Sequence, residues 1–166
     1  CGTVKEQFYT ILEKPHTSDP FFYYLNSRML LDGLLIEIPK NVSLKLPIHI
    51  INLGVCEESS ITSPKLGVKI GPNSKVKLIE EFSSKKKLDS LTNSVTQIEI
   101  GRNACLFHDR IVSSSTHDYH FGQLHFDLAE NACLHSNSIA IDGKITRIDL
   151  GVSLNEKGSQ CNLKGL

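Results

Sequence analysis

The sequence predicts a mainly β protein, a right-handed parallel β-helix flattened into two sheets with short N-terminal helices capping one end. The main observation is a unit that recurs five times, with starts 32, 30, 28 and 26 residues apart, at Ile36, Val68, Ile98, Phe126 and Val152. A repeat of this length indicates a solenoid, because each unit buries its apolar face only by stacking on its neighbours. From position 34 onward apolar residues also recur at every second position, which is the period of a β-strand.

The first 33 residues have a different pattern, which predicts two helices. In the segment VKEQFYTILEK the apolar residues follow helical spacing. A second helix opens after Asp19 and Pro20, because Asp is favoured at a helix N-cap and Pro at the first helical position, and Gly33 suits its end. We therefore divide the chain into a helical cap segment, residues 1–33, and a β-helix core, residues 34–166, whose open end the helices should cover.

Each repeat combines two extended segments with a tight corner. Counted from the first residue of a unit, offsets zero and two are apolar in all five copies. Offset five suits a positive backbone φ, and it is occupied by Asn41, Asn73, Asn103 and Asn131, with Lys157-Gly158 in the last copy. Equivalent residues should therefore stack at the strand spacing of about 4.8 Å. An antiparallel sandwich gives no reason for the same corner to recur.

Length and composition predict one domain in a reducing compartment. The 166 residues carry 18 basic and 18 acidic side chains, and this balance argues against nucleic-acid or anionic-membrane partners. No apolar stretch approaches the roughly 20 residues that cross a bilayer. Five cysteines are too few for a disulfide scaffold and would leave one unpaired, so we expect a cytoplasmic protein.

Four residues form a candidate metal site on the outward face of the core: Cys105, Cys133, His135 and Cys161. They occupy offsets seven and nine, where other copies carry Lys and Ser, so we expect these odd offsets to point outward. On stacked coils Cys105 would lie beside Cys133, and Cys161 beside His135. Thiolates and imidazole suit zinc or an iron–sulfur species, but the pattern also fits a disulfide between Cys105 and Cys133, or small side chains packed beneath a partner.

Other titratable groups do not converge in the sequence pattern. His117, His120 and His125 lie close together in sequence, but strand alternation sends them in different directions, so we expect surface histidines or histidines with hydrogen-bond partners. Arg147 and Asp149 have the same parity along a strand, which predicts an ion pair between neighbouring coils.

No catalytic signature accompanies the repeat. The sequence contains neither a GxxxxGK[ST] phosphate loop nor a GxSxG nucleophile elbow. Glu80 and Glu81 have no obvious acid–base partner, and we expect them at a solvated strand end. A pectin-lyase-like β-helix enzyme is the alternative function, but it needs carboxylates converging on one groove, whereas the aspartates here fall at unrelated offsets. We therefore expect a non-catalytic scaffold.

Three segments resemble the SufB/SufD family of iron–sulfur cluster assembly proteins: FYYLNSRMLLDGLLIEIPKNVSLKLPIHI, LTNSVTQIEIGRNACLFHDRI and GKITRIDLGVSLNEKGSQCNLKGL. The resemblance spans roughly residues 19–166, and the first two segments are more similar to SufD than to SufB. It implies a non-enzymatic subunit of a SufBCD-type complex, which pairs with a SufB-like paralogue through the β-helix and is driven by a SufC-like ATPase.

Two features of that family have no counterpart before the sequence stops at NLKGL. They are a Cys-Ser-His-Gly segment late in the β-helix and the helices after it that dock the ATPase. We therefore assign no catalytic or cofactor-binding residues from the family, and expect the C-terminal part of the family domain to be missing. The resemblance implies no intrinsic cofactor, with iron or an iron–sulfur cluster handled transiently by the complex. An uncapped last coil also predicts self-association, as in a homodimer.

Overall fold

The computed structural model describes residues 20–29, 33–54, 59–84 and 89–166, which form one helix and eleven strands. The helix is α1 (Phe21–Met29). The strands are β1 (Leu34–Ile38), β2 (Ile48–Gly54), β3 (Ser60–Thr62), β4 (Lys65–Ile70), β5 (Lys75–Ser84), β6 (Ser90–Ile100), β7 (Cys105–Ser113), β8 (Asp118–Leu128), β9 (Cys133–Ile141), β10 (Ile145–Leu154) and β11 (Gln160–Gly165).

All described strand pairs are parallel and belong to two sheets. The first sheet has the order β1-β4-β6-β8-β10, with β3 also paired to β6, and the second has the order β2-β5-β7-β9-β11. The chain alternates between the sheets at each corner, so every strand pairs with its equivalent in the next repeat. This is a flattened parallel β-solenoid, which confirms the predicted mainly β fold with two parallel sheets.

Residues that open the repeats lie side by side in the first sheet. Val68 is in register with Ile36 on one side and Ile98 on the other. Phe126 is likewise in register with Ile98 and Val152. The apolar residues two positions later stack in the same way, and they are Ile38, Ile70, Ile100, Leu128 and Leu154. The buried residues of these rows and the inward-facing apolar residues of the second sheet form one continuous apolar core.

The corners are built on asparagines in the left-handed region, as predicted. Asn41, Asn73, Asn103 and Asn131 have φ between 55° and 60°, and Gly158 has φ 75°. Their side chains also form a ladder between coils, since Asn73 Nδ2 donates to Asn41 Oδ1 at 3.0 Å and Asn103 Nδ2 donates to Asn73 Oδ1 at 3.1 Å. The last step runs from Asn131 Nδ2 to Asn103 Oδ1 at 3.3 Å.

The ladder predicts an order of stability at position 103. Asn103→Ala should lower the free energy of unfolding by about 1–2 kcal/mol, because Ala lacks the short polar side chain that lets Asn adopt positive φ and because the ladder bonds are lost. Asn103→Gly keeps the backbone geometry and loses only the side-chain bonds, so it should be less destabilising than Asn103→Ala. Urea denaturation of both variants measures this order, and the reverse order would contradict the corner geometry.

The last corner contains one residue more than the others, which corrects the predicted position of Cys161. Asn131 N–H donates to the carbonyl of Lys157 at 3.0 Å, in the place where Asn103 N–H donates to Glu130. Gly158, rather than Lys157, is therefore the equivalent of the corner asparagines. As a result Cys161 is in register with Leu134 and not with His135. A shift of one residue reverses the face to which a strand side chain points.

The described helix lies on the outer face of the first sheet, so the expectation that it covers the open end is wrong. Asn26 Nδ2 donates to the carbonyls of Pro64 at 3.2 Å and Asn93 at 2.7 Å, and Asn93 Nδ2 donates back to the carbonyl of Phe22 at 2.8 Å. The Phe22 ring stacks on Phe121 with 4.2 Å between centroids. Some of these partners belong to the central strands β6 and β8. The helix α1 therefore shields outward-facing apolar and amide side chains of these strands from solvent.

Other parts of the predicted helical segment lie outside the described residues. They are residues 1–19, which contain the first predicted helix and the expected N-cap Asp19, and residues 30–32 before Gly33. Within the described part of the chain, no helix has the length and apolar character needed to cross a membrane.

Candidate functional site

The outer face of the second sheet brings together three of the four predicted ligands. Cys105 on β7 is in register with Cys133 on β9, and His135 follows two residues later on the same face of β9. The two Sγ atoms and an imidazole nitrogen all lie within 4.8 Å of one another. Cys133 Sγ is 3.4 Å from His135 Nε2. We call Cys105, Cys133 and His135 the Cys–His cluster; Cys161 is not part of it.

Neighbouring side chains hold the cluster partly shielded from water. The His135 ring stacks on Phe107 at 5.0 Å between centroids, and the Lys75 ammonium lies 5.4 Å from the Phe107 ring centre. Burial, followed by the neighbouring Cys133, raises the pKa of Cys105 to about 11. Without a bound cation Cys105 is therefore a neutral thiol at pH 7, which does not suit a nucleophilic cysteine.

Between the sheets lies a second polar site, which the sequence analysis did not predict. Glu80 on β5 and Arg110 on β7 are in register, point inward and are 1% and 0% exposed. Arg110 Nη1 donates to Glu80 Oε2 at 2.9 Å, and Thr96 from the opposite sheet donates to Glu80 Oε1 at 2.9 Å. The prediction that Glu80 lies at a solvated strand end is therefore wrong. Its partner is 30 residues away in sequence but adjacent in the solenoid.

The remaining contacts of Arg110 complete this buried polar network. Its Nη2 donates to Ser94 Oγ and lies 3.4 Å from His120 Nε2. A β-carbon at Gly122 would come within 2.7 Å of the same Nη2, so the absence of a side chain there makes room for the guanidinium. Burial alone would raise the pKa of Glu80, but the charge of Arg110, with His108 and Thr96, outweighs it and lowers that pKa. The network therefore holds an ion pair inside the solenoid.

The chain carries the sequence features of a known family in the region that contains both sites. A family described as SUF system FeS cluster assembly, SufBD core domain, matches residues 53–166, which is more than half of the chain. This chain belongs to the SufBD core family. The match confirms the SufB/SufD resemblance, and closeness to SufD in particular stays a prediction.

One curated relative supports the same assignment for this SufBD core chain. It is described as an iron–sulfur cluster assembly SufBD family protein of Synechocystis sp. (strain ATCC 27184 / PCC 6803 / Kazusa), and it is 23% identical over 171 residues. The alignment covers 98% of this chain and 38% of the relative, so the chain spans less than half of that protein. No solved structure gave a significant match.

In the SufBD core the predicted histidines do point in different directions. His120 is buried between the sheets, whereas His125 faces outward and its Nε2 lies 3.0 Å from Ser153 Oγ. His117 is in the loop before β8, with its Nδ1 3.4 Å from Asp89 Oδ1. These three side chains share no site, and among the described residues only the Cys–His cluster has the ligand spacing of a metal site.

Arg147 and Asp149 form an ion pair, but not the one that we predicted. Arg147 Nη2 is 2.9 Å from Asp149 Oδ2, and Nε donates to Oδ1 at 3.0 Å. Both residues belong to β10, so this bidentate pair lies along one strand and does not join two coils. Residues two apart on a strand lie on the same face, so these two side chains are close enough for direct contact. The prediction did not consider this pairing within one strand.

The position of His120 predicts an acid-sensitive SufBD core. Burial, and then the charge of Arg110, lower the pKa of His120 to about 3 from 6.5. Below pH 6.5 His120 is therefore protonated in the unfolded chain but stays neutral in the folded chain. The free energy of unfolding then falls as the pH falls. The slope attributable to His120 should approach about 1.4 kcal/mol per pH unit. Below pH 4.5 the lowered pKa of Glu80 adds a loss of the same sign.

Urea denaturation between pH 6.5 and pH 4.5 checks this prediction in two matched variants. His120→Gln should flatten the slope, because the residue that resists protonation is gone. His117→Gln removes an exposed histidine three residues earlier, in the loop before β8, and should leave the slope unchanged. Equal slopes in both variants and in the wild-type protein would mean that His120 does not exclude its proton in the folded chain.

Proposed function

We propose that this chain is a non-catalytic scaffold in iron–sulfur cluster assembly, which pairs with a SufB-like paralogue and works with a SufC-like ATPase in the cytoplasm. The observation that carries the proposal is the match to the SufBD core over residues 53–166, the same residues that form most of the solenoid. The second segment of resemblance favours the SufD-like role of the pair. Iron and sulfide are cargo in this proposal, and the chain needs no cofactor of its own.

The solenoid supports a scaffold because its outward side chains form aligned rows. On the second sheet Lys75, Cys105 and Cys133 occupy one row, and Lys77, Phe107 and His135 the next. Farther along the same face Ile111 and Ile139 are in register. Rows of this kind make broad and nearly flat faces, which suit protein contacts better than enclosure of a small substrate.

The pectin-lyase-like alternative finds no support among the aspartates of the described residues. Asp109 accepts from Asn137 Nδ2 at 2.7 Å and pairs with Lys77, and Asp118 accepts from the Ser90 hydroxyl. Asp127 lies 3.3 Å from His125 Nε2. Each of these three carboxylates is engaged by its own local partner and Asp118 is buried, so the three do not form the pair of opposed carboxylates that glycoside chemistry requires.

Co-expression tests the scaffold proposal. The tagged chain in its full-length protein should be produced with the SufB-like paralogue and the SufC-like ATPase of the same organism, and the complex isolated by affinity and size-exclusion chromatography. We expect all three proteins to co-elute, while the paralogue and ATPase without this chain should not bind the resin. Elution of the tagged protein alone, or as a homodimer without the other two, would contradict the proposal.

A further inference from the structure

We propose that Cys105, Cys133 and His135 bind one thiophilic divalent metal ion of the Zn²⁺ class on the outer face of the second sheet. The inference is independent of the scaffold role, because it concerns the isolated chain. It depends on the geometry of three ligand atoms that lie within 4.8 Å of one another on two adjacent parallel strands.

The distances in the Cys–His cluster match those of a tetrahedral zinc site. With Zn–S of about 2.3 Å and Zn–N of about 2.0–2.1 Å, a sulfur and a nitrogen ligand lie about 3.5 Å apart. The observed distance between Cys133 Sγ and His135 Nε2 is 3.4 Å. The third ligand atom, Cys105 Sγ, lies within 4.8 Å of the other two. A shift of roughly 1 Å would complete the set, since two sulfur ligands of one zinc ion lie about 3.8 Å apart and a sulfur and a nitrogen ligand about 3.5 Å apart.

The ligand types and their surroundings also favour a divalent ion. Two thiolates balance its charge, so the bound form leaves no net charge on a half-buried surface. Stacking of His135 on Phe107 fixes the plane of the imidazole before any ion arrives. The ladder between β7 and β9 fixes the spacing of the two cysteines. The ligand side chains therefore need little additional ordering when the metal ion binds.

The three residues leave one position of a tetrahedral ion for an outside ligand. In the next coil Gln160 is in register with Cys133, and Asn162 with His135. Their neutral amides are not among the usual zinc ligands, which are thiolate, imidazole and carboxylate. Water or a thiolate or carboxylate from another molecule therefore fills the fourth position, as at zinc sites that keep one position open.

Metal titration of the reduced chain tests the proposal. The background carries Cys1→Ser and Cys56→Ser, which removes the two cysteines outside the described residues. Co²⁺ serves as the spectroscopic probe and Zn²⁺ as the competitor. We expect one Co²⁺ per chain with thiolate-to-cobalt charge transfer and tetrahedral d–d absorption, both abolished by one equivalent of Zn²⁺.

Ligand variants with a matched control locate the ion. Because loss of even an outer-shell partner weakens metal binding by roughly 10- to 100-fold, Cys105→Ser, Cys133→Ser and His135→Gln should each weaken Zn²⁺ binding by at least about 100-fold. Cys161→Ser removes an exposed thiol outside the cluster and should leave the affinity unchanged. Unchanged affinity in Cys133→Ser, or an equal loss in Cys161→Ser, would overturn the proposal.

Thiol protection gives a second readout that needs no ligand variant. Zn²⁺ should slow maleimide labelling of Cys105 and Cys133 and leave the labelling rate of Cys161 unchanged, with the sites identified by peptide mass analysis. Equal labelling of all three cysteines with and without Zn²⁺ would contradict the site. If the reduced protein binds no Co²⁺ and then forms a Cys105–Cys133 disulfide on oxidation by dissolved dioxygen, the pair would likewise be assigned to a redox link and not to a metal site.

Discussion

Replacing Arg110 with Met is expected to destabilise the protein by about 3–5 kcal/mol, the cost of breaking a buried ion pair by removing one partner. The variant leaves the Glu80 carboxylate 1% exposed and without its guanidinium. The hydrogen bond from Thr96 and the imidazole of His108, 3.8 Å away, replace only part of the lost interaction. Urea denaturation measures the loss.

Two further variants separate this effect from a general loss of side-chain volume. The double variant Glu80→Gln/Arg110→Met removes both charges, keeps an acceptor for Thr96, and should recover at least half of the lost stability. Arg147→Met breaks the exposed ion pair with Asp149 and should cost less than about 1 kcal/mol. A similar loss in Arg110→Met and Arg147→Met would show that the buried pair has no special energetic role.

The Phe126→Ala variant should lose about 3–5 kcal/mol, the usual cost of truncating a fully buried aromatic residue. Phe126 is 0% exposed, lies between Ile98 and Val152 in the first sheet, and meets the His108 ring edge-on at 5.4 Å. Its removal opens a cavity where the apolar core meets the buried polar network. The shift in the urea midpoint measures the cost.

Phe107→Ala is the matched control for this prediction. Phe107 is on the outer face of the second sheet, where its ring stacks on His135. Its truncation removes one stacking contact and leaves no enclosed cavity, so the loss should be about 1 kcal/mol. If Phe107→Ala were the more damaging of the two, the inward and outward faces assigned to the strands would be reversed.

Most of the fold follows from two regularities of the sequence, the alternation of apolar residues and the asparagine at each corner. They correctly place Ile36, Val68, Ile98, Phe126 and Val152 in one row. The same parity could have located the buried network, because Glu80 and Arg110 share an even offset in adjacent repeats. Considered alone, a charged residue at an inward position suggests a solvated strand end. Considered with its equivalent in the next repeat, it predicts a buried ion pair.

Other features depend on details that the repeat pattern does not contain. The extra residue in the last corner moves Cys161 away from the Cys–His cluster, and its effect depends on which of Lys157 and Gly158 takes the corner conformation. The position of α1 depends on contacts such as that of Asn26 with Asn93, 67 residues away. Such contacts join segments with no repeat relationship, so periodicity does not predict them.

Disulfide trapping between engineered cysteines tests most directly whether equivalent residues of adjacent coils are stacked in register. In a background with all five native cysteines replaced by Ser, Lys69→Cys/Glu99→Cys joins positions in register on adjacent coils and should form a disulfide rapidly. Lys69→Cys/Asp127→Cys joins positions two coils apart, about 9.6 Å, which is too far for a disulfide bond. Cross-linking of the second pair and not the first would contradict the parallel, in-register solenoid.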